Sequence, residues 1–391
     1  GYQYVEDLYS PGFFTVQLGD KQNNIQLNCF LSRGKKPFSQ TKTKPKKQKK
    51  VAQKPVFCDA VLDWVEKLSD QADDFCVQIG SNQLGIVAGY HWFGAWSRDE
   101  LIALPGLLLQ TGKHTDAKKI LSSLSNCIQD GLVPNIIEEK DRRYDFLADS
   151  SLLFVLAVYH YYQATKDDKF VAGILPGLIS IIKRYLRDKG DCPRVDEDGL
   201  IVFEGDRTKA ATWMDAVINS QPVTPRYGKP VEIQALWYNA LRIMQFFAEL
   251  SLCKPKIEKT VWTKSAILAK QKGKAGLESL AQKVKDSFAE QFFNSKRGYL
   301  ADYIQDGYTN WQIRPNQLFA LGLPFALVDQ KMANQVLDTV REHLLTPAGL
   351  RTLSPQDSQY QWHYGGSQEQ RDQAYHQGTV WPWLLGVYCQ A

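Results

Sequence analysis

Apolar residues along this chain recur in two different rhythms. Up to residue 33 they come in short runs, Phe13-Phe14-Thr15-Val16-Gln17-Leu18 and Ile25-Gln26-Leu27-Asn28-Cys29-Phe30-Leu31, with a polar Gly-Asp-Lys-Gln-Asn-Asn stretch between them. That pattern reads as a β-hairpin. Two strands seldom stand alone in water, so residues 1–33 are expected to be the end of an N-terminal β-sheet domain. From residue 56 the apolar segments have helix length and are joined by loops rich in Gly, Pro, Asp and Trp. Helices are predicted over 56–68, 101–110, 116–129, 150–163, 172–186, 231–251, 275–293, 315–321, 329–343 and 380–388. With no strand repeats between them, they predict one all-α domain over residues 56–391.

Charge sharpens the boundary between the two regions. Residues 34–55 hold Lys42, Lys44, Lys46, Lys47, Lys49, Lys50 and Lys54, more positive charge than the chain's net +5. The segment reads as a solvated linker, with a localisation signal or a polyanion patch as alternatives. The remainder is close to neutral, which argues against a nucleic-acid groove. Seven cysteines without a Cys-x-x-Cys pair point to a reduced, cytoplasmic setting. No secretory signal precedes the first residues, and no apolar run approaches the ~18 residues of a membrane span. The six histidines are dispersed, which gives no metal site, and Gly-x-Ser-x-Gly and P-loop motifs are absent. No cofactor is implied.

Ten Trp and eighteen Tyr suit stacking on sugar rings as well as a large core. Many of the aromatic and polar residues gather in loops: 91–99, 144–149, 212–215, 224–230 and 371–378. Breaking a glycosidic bond needs one carboxylic acid to protonate the leaving oxygen and one carboxylate to activate water or attack carbon. Thr212-Trp213-Met214-Asp215 sets an acid two residues after a ring that can exclude water and raise its pKa; the plain alternative is a helix cap or surface acid. In Trp96-Ser97-Arg98-Asp99, an arginine and a carboxylate side by side can grip vicinal hydroxyls, or form a buried ion pair at the start of the next helix. His376 reads equally as a sugar contact and as a tether for its own loop.

Taken in order, these segments resemble the amylo-α-1,6-glucosidase region of glycogen debranching enzymes, in particular the shorter prokaryotic type. Trp96-Ser97-Arg98-Asp99 resembles the family's Trp-Gly-Arg-Asp block, with Ser97 as a departure, and Gly131-Leu132-Val133-Pro134-Asn135 its Gly-Leu-Ile-Pro-Asn turn. Thr212-Trp213-Met214-Asp215, Gly228-Lys229-Pro230-Val231-Glu232-Ile233, Arg314-Pro315-Asn316 and Tyr375-His376-Gln377-Gly378-Thr379-Val380-Trp381 follow. The likeness runs from about residue 90 to the end of the sequence, and Pro11-Gly12-Phe13-Phe14 resembles part of the family's preceding domain.

The resemblance implies an (α/α)6 toroid that cleaves single α-1,6-linked glucose stubs from a branched α-glucan such as glycogen, with inversion. It implies Asp215 as general acid and Arg98 with Asp99 as the grip on the terminal glucose. Trp96, Asp149, Trp213, Tyr375, His376, Gln377 and Trp381 are the remaining expected substrate contacts. Glu232 is expected to line the pocket, the alternative being a buried partner of Arg226 or Lys229. Eukaryotic members carry a glutamate where Val380 stands here, so the general base is sought among Asp372, Glu232 and Glu369, with Asp372 favoured by its nearness to the 375–377 loop. At 144–149 the family's Tyr-Asn-Ser-x-Asp-Ala is one residue longer and lacks its Asn, and Leu153 replaces a Trp. This departure keeps two alternatives open: a glucoamylase- or trehalase-like hydrolase of another linkage, and a non-catalytic glycan-binding module.

Overall fold

The computed structural model describes residues 59–79, 83–90, 93–137, 142–144, 147–187, 193–204, 207–210, 212–253 and 274–391. The expected hairpin at 1–33 and the lysine-rich segment at 34–55 lie outside the described residues, as do His91, Trp92, Asp145 and Phe146. The chain divides into two units, Gly1–Asp63 and Trp64–Ala391, and the architecture below is that of the second.

Eleven α-helices are found among the described residues. They are α1 (Asp59–Gln71), α2 (Ser97–Leu104), α3 (His114–Asn126), α4 (Ser150–Thr165), α5 (Asp168–Tyr185), α6 (Val231–Cys253), α7 (Lys274–Phe292), α8 (Phe319–Gly322), α9 (Gln330–His343), α10 (Gln368–Ala374) and α11 (Leu384–Gln390). Their burial separates them into two kinds. In α4 every residue from Ser150 to Val158 is buried, and in α6 every residue from Val231 to Leu241. A helix apolar on all sides belongs inside a protein rather than at its surface. Helices α3 and α9, by contrast, carry one apolar stripe: Ala117, Ile120, Leu121 and Leu124 on α3, and Ala333, Val336 and Val340 on α9. This three-and-four spacing is what one buried face of a helix requires.

Packing follows from that difference. Helix α2 packs on α4, α4 on α6, α6 on α8 and α8 on α11, which gives an inner series. Other helices alternate with these in the chain and lie against them: α3 on α4, α5 on α4 and α6, α7 on α6, and α9 against the 3-10 turn Pro315–Leu318 that leads into α8. Each Leu, Ile or Phe so enclosed contributes roughly 1.5–3 kcal/mol. Among the described residues no helix is long and apolar enough to cross a membrane.

Helices thus form the core, and the expectation of no strands needs correction. Among the described residues, seven small sheets of two or three short strands occupy the connections. Most of these strands are two or three residues long, too short to leave an alternating pattern in the sequence. Two of the sheets matter for the site. Gly349–Arg351 pairs with Leu345–Thr346 and with Val380–Trp381, and so holds the segment before α11. Lys229–Pro230 pairs with Tyr303–Gln305 at the entry to α6. There Gly228 has φ +75°, and a Cβ would lie 2.2 Å from the Ile304 carbonyl oxygen, so only glycine fits.

Candidate active site

The chemistry-bearing loops converge at the N-terminal ends of the inner helices. Arg98 and Asp99 are in the first turn of α2, and Asp149 caps α4. Asp215 lies in the loop before α6, Arg314 begins the turn into α8, and residues 375–381 precede α11.

Arg98 is the hinge of the first cluster. Its Nε donates to Asp149 Oδ2 at 2.8 Å, its Nη2 to Asp149 Oδ1 at 3.3 Å, and its Nη1 to Asp215 Oδ2 at 2.7 Å. Among the described residues this leaves one N–H on each terminal nitrogen without a protein acceptor. Arg98 and Asp149 are buried, whereas the side chain of Asp215 is 37% exposed. In the segment 212–215, Thr212, Trp213 and Met214 are all buried and Asp215 is the residue that reaches water. Protein packed around its carboxyl raises the pKa, with Arg98 pulling the other way and Asp149 adding to the rise. Asp99 is exposed and its carboxyl is also raised, by partial desolvation first, against the pull of Arg98.

A second arginine cluster lies beneath the same loop. Arg226 Nη2 donates to Glu232 Oε2 at 2.6 Å, Nη1 bonds Glu232 Oε1, and Nε donates to Asp302 Oδ2 at 2.7 Å. Further bonds run from Nη2 to Asp302 Oδ1 at 3.0 Å and from Nη1 to Thr212 Oγ1 at 3.1 Å, so every N–H of the guanidinium is taken. All three charged residues are buried. The bond to Thr212 fixes the start of the Asp215 segment. Asn316 continues the network: its Nδ2 donates to Asp302 Oδ1 at 2.8 Å, and its Oδ1 accepts from Trp213 Nε1 at 2.8 Å.

Aromatic rings and a third arginine gather around the segment 375–383. Trp213 is buried and meets His376 and Trp383 edge-on, with ring centroids 5.3 and 5.0 Å apart. Tyr375 packs edge-on against His376 and Trp381, and Trp381 Nε1 donates to the Tyr375 carbonyl at 3.1 Å. Arg314 donates to the carbonyls of His376 at 2.8 Å and Thr352 at 3.1 Å and to Gln377 Oε1 at 2.7 Å, which staples the 375–377 loop down. Burial, with Arg314, Arg98 and Arg226 nearby, pushes the His376 imidazole down to about 3, so the ring is neutral at ordinary pH. The Tyr375 phenol is pushed up to about 12, by burial first and then by Tyr364, Asp215, Asp99 and Asp372. Its hydroxyl therefore stands within electrostatic reach of three carboxylates from three separate segments.

The structure brings Arg98, Asp99, Asp149, Asp215 and Tyr375 into one constellation, with Asp372 on α10 close enough to act on Tyr375. Asp372 is half-buried, accepts a 2.8 Å bond from Gln368 Nε2, and burial raises its carboxyl. Trp96 is partly buried and bridges to Ile136, and Gln377 spends its side-chain oxygen on Arg314. Glu369 is exposed in the first turn of α10. Glu232 commits both oxygens to Arg226 rather than to a cavity. Sequence reading did not single out Asp302 and gave Arg314 and Asn316 no role. Both of the latter stand in the Arg314-Pro315-Asn316 block, the one available signal.

An acid with a raised pKa, a guanidinium with free donors and a ring-lined wall, set on loops at one end of buried helices, are the equipment of a glycoside hydrolase. The fold is shared with a GH78 family rhamnosidase of Bacillus sp. GL1, at 13% identity and TM-score 0.50 over 72% of this chain and 26% of that one. It is shared also with a wild-type glycosidase, at 12% identity and TM-score 0.52 over 78% and 76%. Residues 70–391 match the amylo-alpha-1,6-glucosidase family, and the chain belongs to it. A curated relative, the glycogen debranching enzyme of Saccharomyces cerevisiae strain S288c, is 26% identical over 399 residues, covering 80% of this chain. The chain spans 25% of the length of that relative.

Proposed function

We propose that this chain is an exo-acting α-1,6-glucosidase that removes single glucose stubs from a branched α-glucan with inversion, on an (α/α)6 toroid. The observation that carries the reading is Arg98 gripping Asp149 and Asp215 together beside Tyr375. Asp215 is the general acid. Arg98 occupies its Oδ2, which leaves Oδ1 to carry the proton, and the protein packed around the carboxyl shifts it toward the protonated form, against the pull of Arg98. As the bond from the anomeric carbon to the leaving oxygen breaks, Asp215 gives this proton to the oxygen. A water attacks from the opposite face and loses its proton to the base.

Asp372 is the base this arrangement favours, since Glu232 has both oxygens on Arg226 and Glu369 points the first turn of α10 to solvent. Inversion requires the two carboxyls to be roughly 6.5–9.5 Å apart, with the water between them. Asp149 orients Arg98, whose remaining N–H groups and Asp99 take the hydroxyls of the terminal glucose. Trp96, Trp213, Tyr375, His376, Gln377 and Trp381 shape the wall around that ring.

Glucose release from a branched limit dextrin tests the reading. Asp215→Asn is expected to lower the rate by about 10²–10⁴-fold while circular dichroism is unchanged. Wild-type turnover by that variant would remove Asp215 from the mechanism. Release of the β-anomer, followed by NMR, checks inversion.

A further inference from the structure

Beyond the site itself, the segment 359–366 carries rings into solvent. Trp362 is 84% exposed, and Tyr364 is exposed beside it. A single exposed aromatic is ordinary; a fixed row of them leading out of a reaction site is not. The Tyr364 ring lies 6.0 Å from Tyr375, which itself packs on Trp381 at 4.9 Å, and Trp362 adjoins His363 at 5.3 Å. Tyr364 thus joins the rings beside the site, and Trp362, two residues before it on the same segment, carries the aromatic surface into open water.

The segment is held at both ends. Gln361 N donates to the Gln377 carbonyl at 2.6 Å, and Gln312 Nε2 donates to Gln359 Oε1 at 3.0 Å. Gly378, at φ +147°, leaves space that a Cβ would fill against the Gln361 carbonyl oxygen and the Tyr360 ring, so the segment lies directly on the 375–378 loop. At the far end Arg371 Nη1 donates to the Gly366 carbonyl, and Ser367 and Gln370 form a capping box that starts α10. A row so anchored meets a ligand without first being ordered.

We propose that Trp362 and Tyr364 form a second carbohydrate-binding platform, outside the pocket, on which glucose rings of the α-glucan stack on the leaving-group side of the scissile bond. This rests on the α-glucan reading above. The chemistry of the segment selects such an occupant: residues 355–367 contain no Lys or Arg and Asp357 as their one acidic residue, with Gln356, Gln359 and Gln361 interleaved among the rings. Neutral rings edged by amide groups match a polymer whose sugar faces are apolar and whose edges are hydroxyls. They offer nothing to a phosphate backbone.

Binding of maltoheptaose by calorimetry, in the full chain carrying Asp215→Asn so that nothing is turned over, reads the platform directly. Trp362→Ala is expected to weaken binding about fivefold, Tyr364→Ala to weaken it less, and Trp362→Phe to restore most of the loss. Because Trp362 is solvent-exposed, thermal melting should be unchanged. Binding by Trp362→Ala and Tyr364→Ala equal to the parent's, or no binding by the parent, overturns the platform. Glucose release by the wild-type chain, measured alongside, keeps the two readings apart: Trp362-dependent binding without any release supports the platform and sinks the hydrolase reading.

Discussion

Two arginines in this molecule do the same chemistry in different surroundings. Arg98 bridges Asp149 and Asp215, and Arg226 bridges Glu232 and Asp302. Around Arg226 every partner is 1–2% exposed, whereas Asp215 is 37% exposed. The sealed cluster spends every guanidinium N–H on the protein; the open one leaves two guanidinium N–H groups without a protein acceptor among the described residues and a carboxyl that reaches water. Access to water, not the identity of the ion pair, separates the sealed clamp from the proposed reaction site. The clamp still serves the site, because its bond to Thr212 holds the loop that presents Asp215.

The largest expected effect breaks the clamp. Arg226→Met leaves Glu232 a buried carboxylate without its cation and Asp302 with Arg314 alone, 3.7 Å away, and should destabilise the fold by about 3–5 kcal/mol in urea unfolding. Arg98→Met strips the cation from one buried carboxylate, Asp149, while Asp215 can be hydrated where it stands, so it should cost less, yet it should abolish glucose release. Equal destabilisation by the two variants would show that the open and sealed clusters are not different in kind.

A smaller effect distinguishes the base. Asp372→Asn is expected to slow turnover of branched limit dextrin about 10²-fold with little change in stability. Glu232→Gln should do the reverse, lowering the unfolding midpoint while the folded fraction keeps turning over. If the losses were exchanged, the base would belong to the buried cluster and Arg226 would be part of the reaction.

How far these clusters were legible in the sequence depended on the range of the contacts. Inner and outer helices showed themselves through all-round or one-sided apolar patterns, and α4, α6 and α9 begin within a residue of where the pattern predicts. Helix α10 was not foreseen, because Ala374 is its one buried residue, though Ser367 and Gln370 carried a capping signal. Val380–Trp381 was read as helix and is a strand; Pro382, within the same apolar run, parts it from α11. Arg98, Asp99 and Asp215 stood out because acid, arginine and Trp are neighbours in the chain. Asp302 did not, since its partner Arg226 is 76 positions away and nothing local marks the pair. Glu232 kept two readings for a different reason: Arg226 stands only six positions away, but the chain pattern does not say whether the carboxyl turns to that arginine or to the pocket.

Glu100 offers the finest test of the comparison, being sealed like Glu232 but without an arginine. It sits buried in the first turn of α2 and accepts a 2.8 Å bond from Ile86 N. Burial pushes its carboxyl up to about 8, the Ile86 bond opposing. A folded pKa above the ordinary value of 4.5 means that folding takes up a proton between those two values. The stability this proton supplies is complete below pH 4.5 and is lost as the pH rises toward 8. The slope due to this group is at most about 1.4 kcal/mol per pH unit. Glu100→Gln keeps an acceptor for Ile86 and removes the titration, so urea unfolding from pH 5 to 8 should show a flatter dependence than the wild type. An unchanged slope would mean that Glu100 ionises at its ordinary pH, and that the water reaching Asp215 extends one turn deeper into α2.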